Sequence, residues 1–184
     1  MVVGQKMKMK IRQATIDDVP AIQRLNRELD KHHADLLPGI FRPLSEDARP
    51  DSVVGDWIKN ADADYLVAEE NGIVGFINIR RASHPRYPMF KAHEFAMIED
   101  AVVEQSVRGR GIGTQLFNAA IVWARERGLE YVQTMVWSAN RRTREFYLDQ
   151  GFQTLTERLE LNLKDRKAEP TSAGDVAKRA APEN

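Results

Sequence analysis

Residues Met97–Gly128 read MIEDAVVEQSVRGRGIGTQLFNAAIVWARERG: an apolar run, a glycine-rich turn and a long amphipathic segment in succession. Ile98 to Val103 predict a strand, and the turn is Arg108-Gly109-Arg110-Gly111-Ile112-Gly113-Thr114. Leu116, Phe117, Ala120, Ile121 and Ala124 then fall on one face of a 3.6-residue helix, with Gly128 where a helix-ending glycine belongs. The helix therefore opens at the glycines. Three glycines in five positions leave few side chains between the backbone and a ligand, and the first turn of a helix leaves its amides without partners. An anion suits that place, because the helix dipole and free N–H groups favour negative charge and Arg108 and Arg110 add positive charge.

Spacing narrows the anion. A P-loop needs Lys and Ser/Thr after the second glycine of GxxxxGK[ST], and no such string occurs. A dinucleotide fingerprint needs GxGxxG, but the third position is Thr114 counted from Gly109 and Leu116 counted from Gly111. What remains is arginine at 108 with glycines at 111 and 113, after a strand and opening a helix. It resembles the acyl-CoA pyrophosphate motif of the GNAT superfamily of N-acetyltransferases. The competing reading is a glycine-rich strand-to-helix turn that holds nothing.

Composition bounds the rest. The chain has 184 residues with 42% hydrophobic content, enough for one well-buried core. Its 27 basic and 27 acidic residues cancel, so no global field argues for nucleic acid or an anionic membrane as partner. Without cysteine there is no disulfide, thiolate metal site or cysteine nucleophile, which fits a reducing compartment; a soluble, cytoplasmic protein is expected. No apolar run has the length of a signal peptide core or a membrane span.

Along the chain, residues 1–6 read as a flexible N-terminus and Met7 to Ala14 as a first strand. Thr15 and Asp18 form a cap pair, and Val19, Ile22, Leu25 and Leu29 recur at helical spacing to about His33. Ala34 to Pro50 is broken by Pro38, Gly39, Pro43 and Pro50, yet keeps Leu36, Leu37, Ile40 and Phe41, which predicts a packed-down loop. Ser52 to Asn60 predicts a short helix. Tyr65–Glu69 and Ile73–Arg81 flank Asn71-Gly72, the strongest hairpin signal in the chain. His84 to Pro88 reads as a loop and His93 to Val103 as the strand entering the glycine turn. Tyr131–Trp137 predicts a strand, Asn140–Gln150 a helix stopped by Gly151, and Phe152–Leu163 a last strand on the alternation of Leu155, Leu159, Leu161 and Leu163. Residues 164–184 are polar with little to bury and read as a disordered tail. The expected fold is α/β: one domain over residues 7–163, with a mixed, largely antiparallel sheet flanked by helices on both faces.

The resemblance covers about Met7 to Leu163. Its specific part is Ile98 to Gly113, Ser138-Ala139-Asn140, Phe146-Tyr147 and Gly151-Phe152, spaced like the catalytic half of the spermidine/spermine acetyltransferases. It implies acetyl-CoA as cosubstrate, a small amine as acceptor and, as in many members, a homodimer. The backbone of Ala101, Val102 and Val103 would pair with pantetheine and the thioester carbonyl, and the turn from Arg108 through Gly109, Arg110, Gly111, Ile112 and Gly113 to Thr114 would hold pyrophosphate. Asn140 would reach the pantetheine arm, although an Asn there also caps a helix. Tyr147, at the offset of the family's acid, would hand a proton to the leaving thiolate; a phenol titrating near ~10 is protonated at neutral pH. Core packing beside Phe146 and Phe152 is the other reading of Tyr147.

Glu99 is the candidate base, acting through water. Period-2 alternation puts Ala101 and Val103 on its face and Asp100 and Val102 on the other. Asp100 and Glu94 are substitutes for it, and a solvated or salt-bridged acid is the plainer reading. Arg144 reads as a surface charge within reach of a phosphate. The histidines at 32, 33, 84 and 93 match no metal spacing, so no metal is expected. The leading function is direct acetyl transfer to a primary amine in a ternary complex. Transfer to a protein N-terminus or lysine, which needs an open groove in place of the 34–50 loop, and a noncatalytic acyl-CoA-binding domain remain alternatives.

Overall fold

The computed structural model describes residues 9–84, 87–89, 91 and 93–164. The chain divides into two compact units, residues 1–145 and 146–184. The expectations for residues 1–6 and 165–184, the start of the first strand at Met7 and the middle of the 84–88 loop lie outside the described residues.

The first unit holds a five-stranded sheet in the order β1 (Lys10–Gln13), β2 (Ala63–Glu69), β3 (Ile73–Ser83), β4 (Glu94–Val103) and β5 (Val132–Thr134). The first three pairings are antiparallel and β4–β5 is parallel, which makes the sheet mixed and largely antiparallel. Asn71 and Gly72 take φ of 56° and 126° in the β2–β3 turn, the left-handed backbone that this dipeptide tolerates.

Helix α1 (Val19–Leu36) runs one turn past its expected end, and α2 (Asp51–Lys59) lies close to its expected span. Ile22, Leu25 and Leu29 of α1 and Val54 of α2 pack on Tyr65, Val67, Phe76 and Val102, the alternate residues of three strands. Helix α3 (Ile112–Glu126) buries Ile112, Leu116, Phe117, Ala120, Trp123 and Ala124 and packs against β2, β3 and β4. Among the described residues no helix is long and apolar enough to cross a membrane.

The cap pair at the start of α1 is part of an ion-pair knot. Asp18 takes the Thr15 N–H at 2.7 Å and is gripped by the Arg12 guanidinium at 2.6 and 2.9 Å. The hydrogen bond from Arg12, chiefly, outweighs the cost of burial and lowers the Asp18 pKa to about 2. The folded value lies below the ordinary one, so this stabilisation is full above pH ~4 and lost as pH falls toward 2. Asp18→Asn should therefore cost about 2 kcal/mol at pH 7. Urea melts of the two proteins should converge as the pH is lowered toward 2; a gap that does not change with pH would show that the ion pair is not its source.

Two expected strands are corrected. β5 spans only Val132–Thr134 of the expected Tyr131–Trp137, because β4 offers it pairing partners only from Ala96 to Ile98. In the second unit, α4 (Arg141–Asp149) ends and Phe152–Leu163 forms no strand. Alternation makes a strand only where a sheet edge accepts the backbone and a surface covers the apolar side. Leu155, Leu159, Leu161 and Leu163 remain 63–89% exposed.

Candidate active site

The glycine turn forms as its residues require. Gly109 and Gly111 take φ of 79° and 76°, and a Cβ built on either meets no atom within 4 Å, so the turn encloses open space. Gly111 is the N-cap of α3, and its carbonyl accepts the first helical bond, from Gln115 at 3.1 Å. The amides of Ile112, Gly113 and Thr114 have no acceptor within the helix. Backbone donors, open space and the helix N-terminus together fit a phosphate group.

The two arginines differ. Arg108 is exposed and its Nε donates to the Val103 carbonyl at 2.8 Å, which holds the side chain beside the end of β4 with its two terminal nitrogens beyond. Arg110 is paired with Glu70 of the β2–β3 hairpin at 2.7 Å and ties the turn to the sheet.

β4 carries a bulge. Asn78 lies opposite Asp100 while Ile79 lies opposite Ile98, so Glu99 is an extra residue. Residues opposite each other share a sheet face, and the insertion reverses the alternation. Met97, Glu99, Asp100 and Val102 all face α1 and α2, while Ala101 and Val103 face the other way. The expected grouping of Glu99 with Ala101 and Val103 is thereby overturned. Hydrogen bonds agree: Glu99 pairs with Arg80 at 2.7 Å, and Asp100 lies 3.5 Å from Arg49, which also pairs with Asp30 of α1.

The backbone follows the same reversal. Before the bulge Ala96 donates to Tyr131 O at 2.8 Å, toward β5; after it Glu104 donates to Val74 O at 2.8 Å, toward β3. Even-numbered residues thus turn from one edge to the other, and Ala101 and Val103 carry their N–H and C=O groups toward the β5 side. There β5 has already ended, its last partner being Ile98 opposite Thr134. Val102 turns its backbone to β3 and its side chain into the core.

Around the bulge the 34–50 segment, expected to pack down, does so only in part: Ile40 and Leu44 are 54% and 46% exposed, and Phe41 and Arg49 are its anchors. Phe41 stacks on His33 of α1 at 5.2 Å and meets the edge of Trp137, beyond β5, at 5.4 Å. Burial pushes the His33 imidazole below its ordinary pKa, against the opposing pull of Asp100. Burial likewise raises the Asp100 carboxyl, against the pull of Arg49 and His33.

Asn140 caps α4: its Oδ1 accepts the Thr143 N–H at 3.3 Å and its carbonyl the Arg144 N–H at 3.0 Å. Tyr147 lies in the second unit, buried, its ring 5.3 Å from Phe146 and 5.1 Å from Phe152. Glu94 pairs with exposed geometry to Arg81 at the opposite end of β4. Among the described residues no group of three or more His, Cys, Asp or Glu could hold a metal ion. Sequence reasoning missed Arg49, Arg80 and Asn78. Only Asn78 left a signal, as an amide inside an otherwise apolar strand.

Residues 29–152 match the model of the acetyltransferase (GNAT) family. An uncharacterized N-acetyltransferase of Methanocaldococcus jannaschii is 36% identical over 99 residues, 53% of this chain and 42% of that protein. A second, from Archaeoglobus fulgidus, is 31% identical over 96 residues, so the chain spans 42% and 63% of the lengths of these two relatives. The aminoalkylphosphonate N-acetyltransferase of Salmonella typhimurium is 28% identical over 144 residues, 78% of this chain and 84% of that one. Among solved structures, a tetramutant of the BH1408 protein from Bacillus halodurans superposes with a TM-score of 0.78 at 25% identity, covering 84% of this chain and 99% of that one. A predicted acetyltransferase from Clostridium acetobutylicum, solved with acetyl-CoA, gives 0.63 at 24% identity over 88% and 100% of the two chains. The family match begins in α1 and runs through the bulged strand, the glycine turn and the helix behind it to Phe152, and the chain belongs to the acetyltransferase (GNAT) family.

Proposed function

We propose that the protein transfers an acetyl group from acetyl-CoA to the primary amine of a small acceptor, by direct attack in a ternary complex. The observation that carries this reading is the end of β4, where a backbone edge freed by the early stop of β5 leads into the open glycine turn. The turn would hold the pyrophosphate through the amides of Ile112, Gly113 and Thr114, with Arg108 alongside. Ala101, through its N–H and C=O, and Val103, through its N–H, would offer backbone groups to the pantetheine arm and the thioester oxygen, the Val103 carbonyl being held by Arg108. A donor aimed at that oxygen matters because it becomes an oxyanion when the amine nitrogen adds to the carbonyl carbon.

The amine must lose a proton and the departing sulfur must gain one. Glu99 faces α1 and α2, the side proposed for the acceptor, and would take the proton through water, in competition with its partner Arg80. Asp100 is the neighbouring acid on the same face. Tyr147 is the proposed donor to sulfur, and Asn140 the proposed contact to pantetheine beside its capping role. The Salmonella relative is named for an amine acceptor, which supports this class. The anchoring of the 34–50 segment to α1, with Phe41 on His33 and Arg49 on Asp30, favours a small acceptor over the open groove that a protein chain needs.

A panel of amines with acetyl-CoA, followed by thiol release, tests the reading. Turnover with at least one small amine is expected. CoA binding without turnover across the panel would leave a noncatalytic acyl-CoA-binding domain. Arg108→Ala should weaken CoA about tenfold or more, the scale of one charge-assisted hydrogen bond, and weaken a phosphate-free pantetheine analogue less. Arg110→Ala should cost less, since Glu70 already engages that guanidinium. Calorimetry showing equal losses for CoA and the analogue would rule out a phosphate contact.

A further inference from the structure

The bulge at Glu99 decides which amides reach the open edge, and a side chain on the neighbouring strand secures it. A bulge leaves a backbone donor outside the regular ladder. Here the Asp100 N–H is taken by Asn78 Oδ1 at 2.7 Å, and Asn78 Nδ2 donates in turn to the Tyr65 hydroxyl at 3.2 Å. Asn78 and Tyr65 are 3% and 2% exposed, so neither amide nor hydroxyl has water as a ready substitute. This chain runs from β2 through β3 to the backbone of β4 directly at the insertion. Its β4 end, the Asp100 N–H, lies two residues past Ile98, the last position where β4 and β5 pair.

We propose that Asn78 is a positioning residue for acetyl transfer: braced by Tyr65, it holds the β4 bulge in register so that Ala101 and Val103, rather than Asp100 and Val102, present their amides to the thioester. The proposal rests on the acetyl-transfer reading of the site. With one residue fewer in the bulge, the even-numbered amides would face the open edge. The Asp100 carboxylate would then turn from Arg49 toward the apolar layer under α3. Loss of Asn78 leaves the Asp100 N–H and the Tyr65 hydroxyl seeking new partners and removes the lock against that slip. Asn78 touches neither substrate in this scheme and acts through the strand.

Three variants test it: Asn78→Ala, Tyr65→Phe, and Val67→Ala as a cavity control in the same core layer away from the site. Asn78→Ala should lower kcat by about 10²-fold, the size of effect seen when an oxyanion donor is misplaced, with the KM for acetyl-CoA little changed. Tyr65→Phe, which leaves Asn78 unbraced, should lose about tenfold. Val67→Ala should lose stability and keep its kcat. Parental kcat in folded Asn78→Ala would overturn the proposal, as would an equal loss in Val67→Ala. Should Asn78→Ala fail to fold, parental kcat in Tyr65→Phe would overturn it.

Amide hydrogen exchange provides a readout that needs no substrate. Asn78→Ala, or Tyr65→Phe in its place, should speed exchange at the Asp100 and Val102 amides, which face β3, about tenfold beyond any change in Val67→Ala. Uniform exchange across the three variants sinks the lock. Local acceleration in a protein that transfers acetyl to no amine would instead uphold the lock and sink the acetyl-transfer reading.

Discussion

Gly111→Val should abolish measurable CoA binding in a protein that still folds. Gly111 holds φ of 76° at the N-cap of α3, and the Cβ added there points into the open space of the turn, away from every other atom. A β-branched residue in left-handed backbone costs roughly 1–3 kcal/mol. The bulk itself meets only the space where the phosphate would lie. Binding should weaken by at least about 10²-fold, close to 3 kcal/mol.

Gly128 supplies the matched control. It ends the same helix at φ 69° with equally open surroundings, so Gly128→Val should carry a similar backbone cost and keep its CoA affinity. Unchanged calorimetric affinity in folded Gly111→Val would end the cradle reading. A loss of the same size in Gly128→Val would trace the effect to helix strain.

Tyr147→Phe should lower turnover by about 10² to 10⁴-fold, the range of general acid catalysis, while acetyl-CoA affinity stays near the parental value. The ring lies between Phe146 and Phe152, and phenylalanine repeats its shape, so packing is conserved and only the hydroxyl is lost. An acyl donor with a more acidic thiol needs less protonation as it leaves, so the deficit should shrink with such a donor. Parental turnover under conditions where chemistry limits the rate would make Tyr147 an aromatic packing residue and send the search for the acid elsewhere.

What could be read directly from the chain was short in range. Asn71-Gly72 specifies its hairpin because the left-handed angles it adopts belong to the two residues themselves. The glycines at 109 and 111, the stripe from Ile112 to Ala124 and the stop at Gly128 specify turn, helix and end within a single stretch. That stretch also carried the family resemblance, which the match over residues 29–152 established.

Tertiary structure decided everything that depends on a distant partner. Met97 to Val103 reads as regular alternation, and the bulge appears only when β3 lies alongside with Asn78 opposite Asp100. That one extra residue put Glu99 and Asp100 on the same face and chose Ala101 and Val103 for the open edge. Arg49 meets Asp100 across fifty-odd positions of sequence, for which no local pattern exists. Tyr131–Trp137 and Phe152–Leu163 have the composition of strands, but a strand is a pairing: the first kept only the three residues that β4 accepts, and the second none. By itself the sequence determined the open glycine turn and the helices, because backbone angles and helical periodicity are properties of neighbouring residues. Register and strand length came from the assembled sheet, because a hydrogen-bond ladder exists only between two strands already in place.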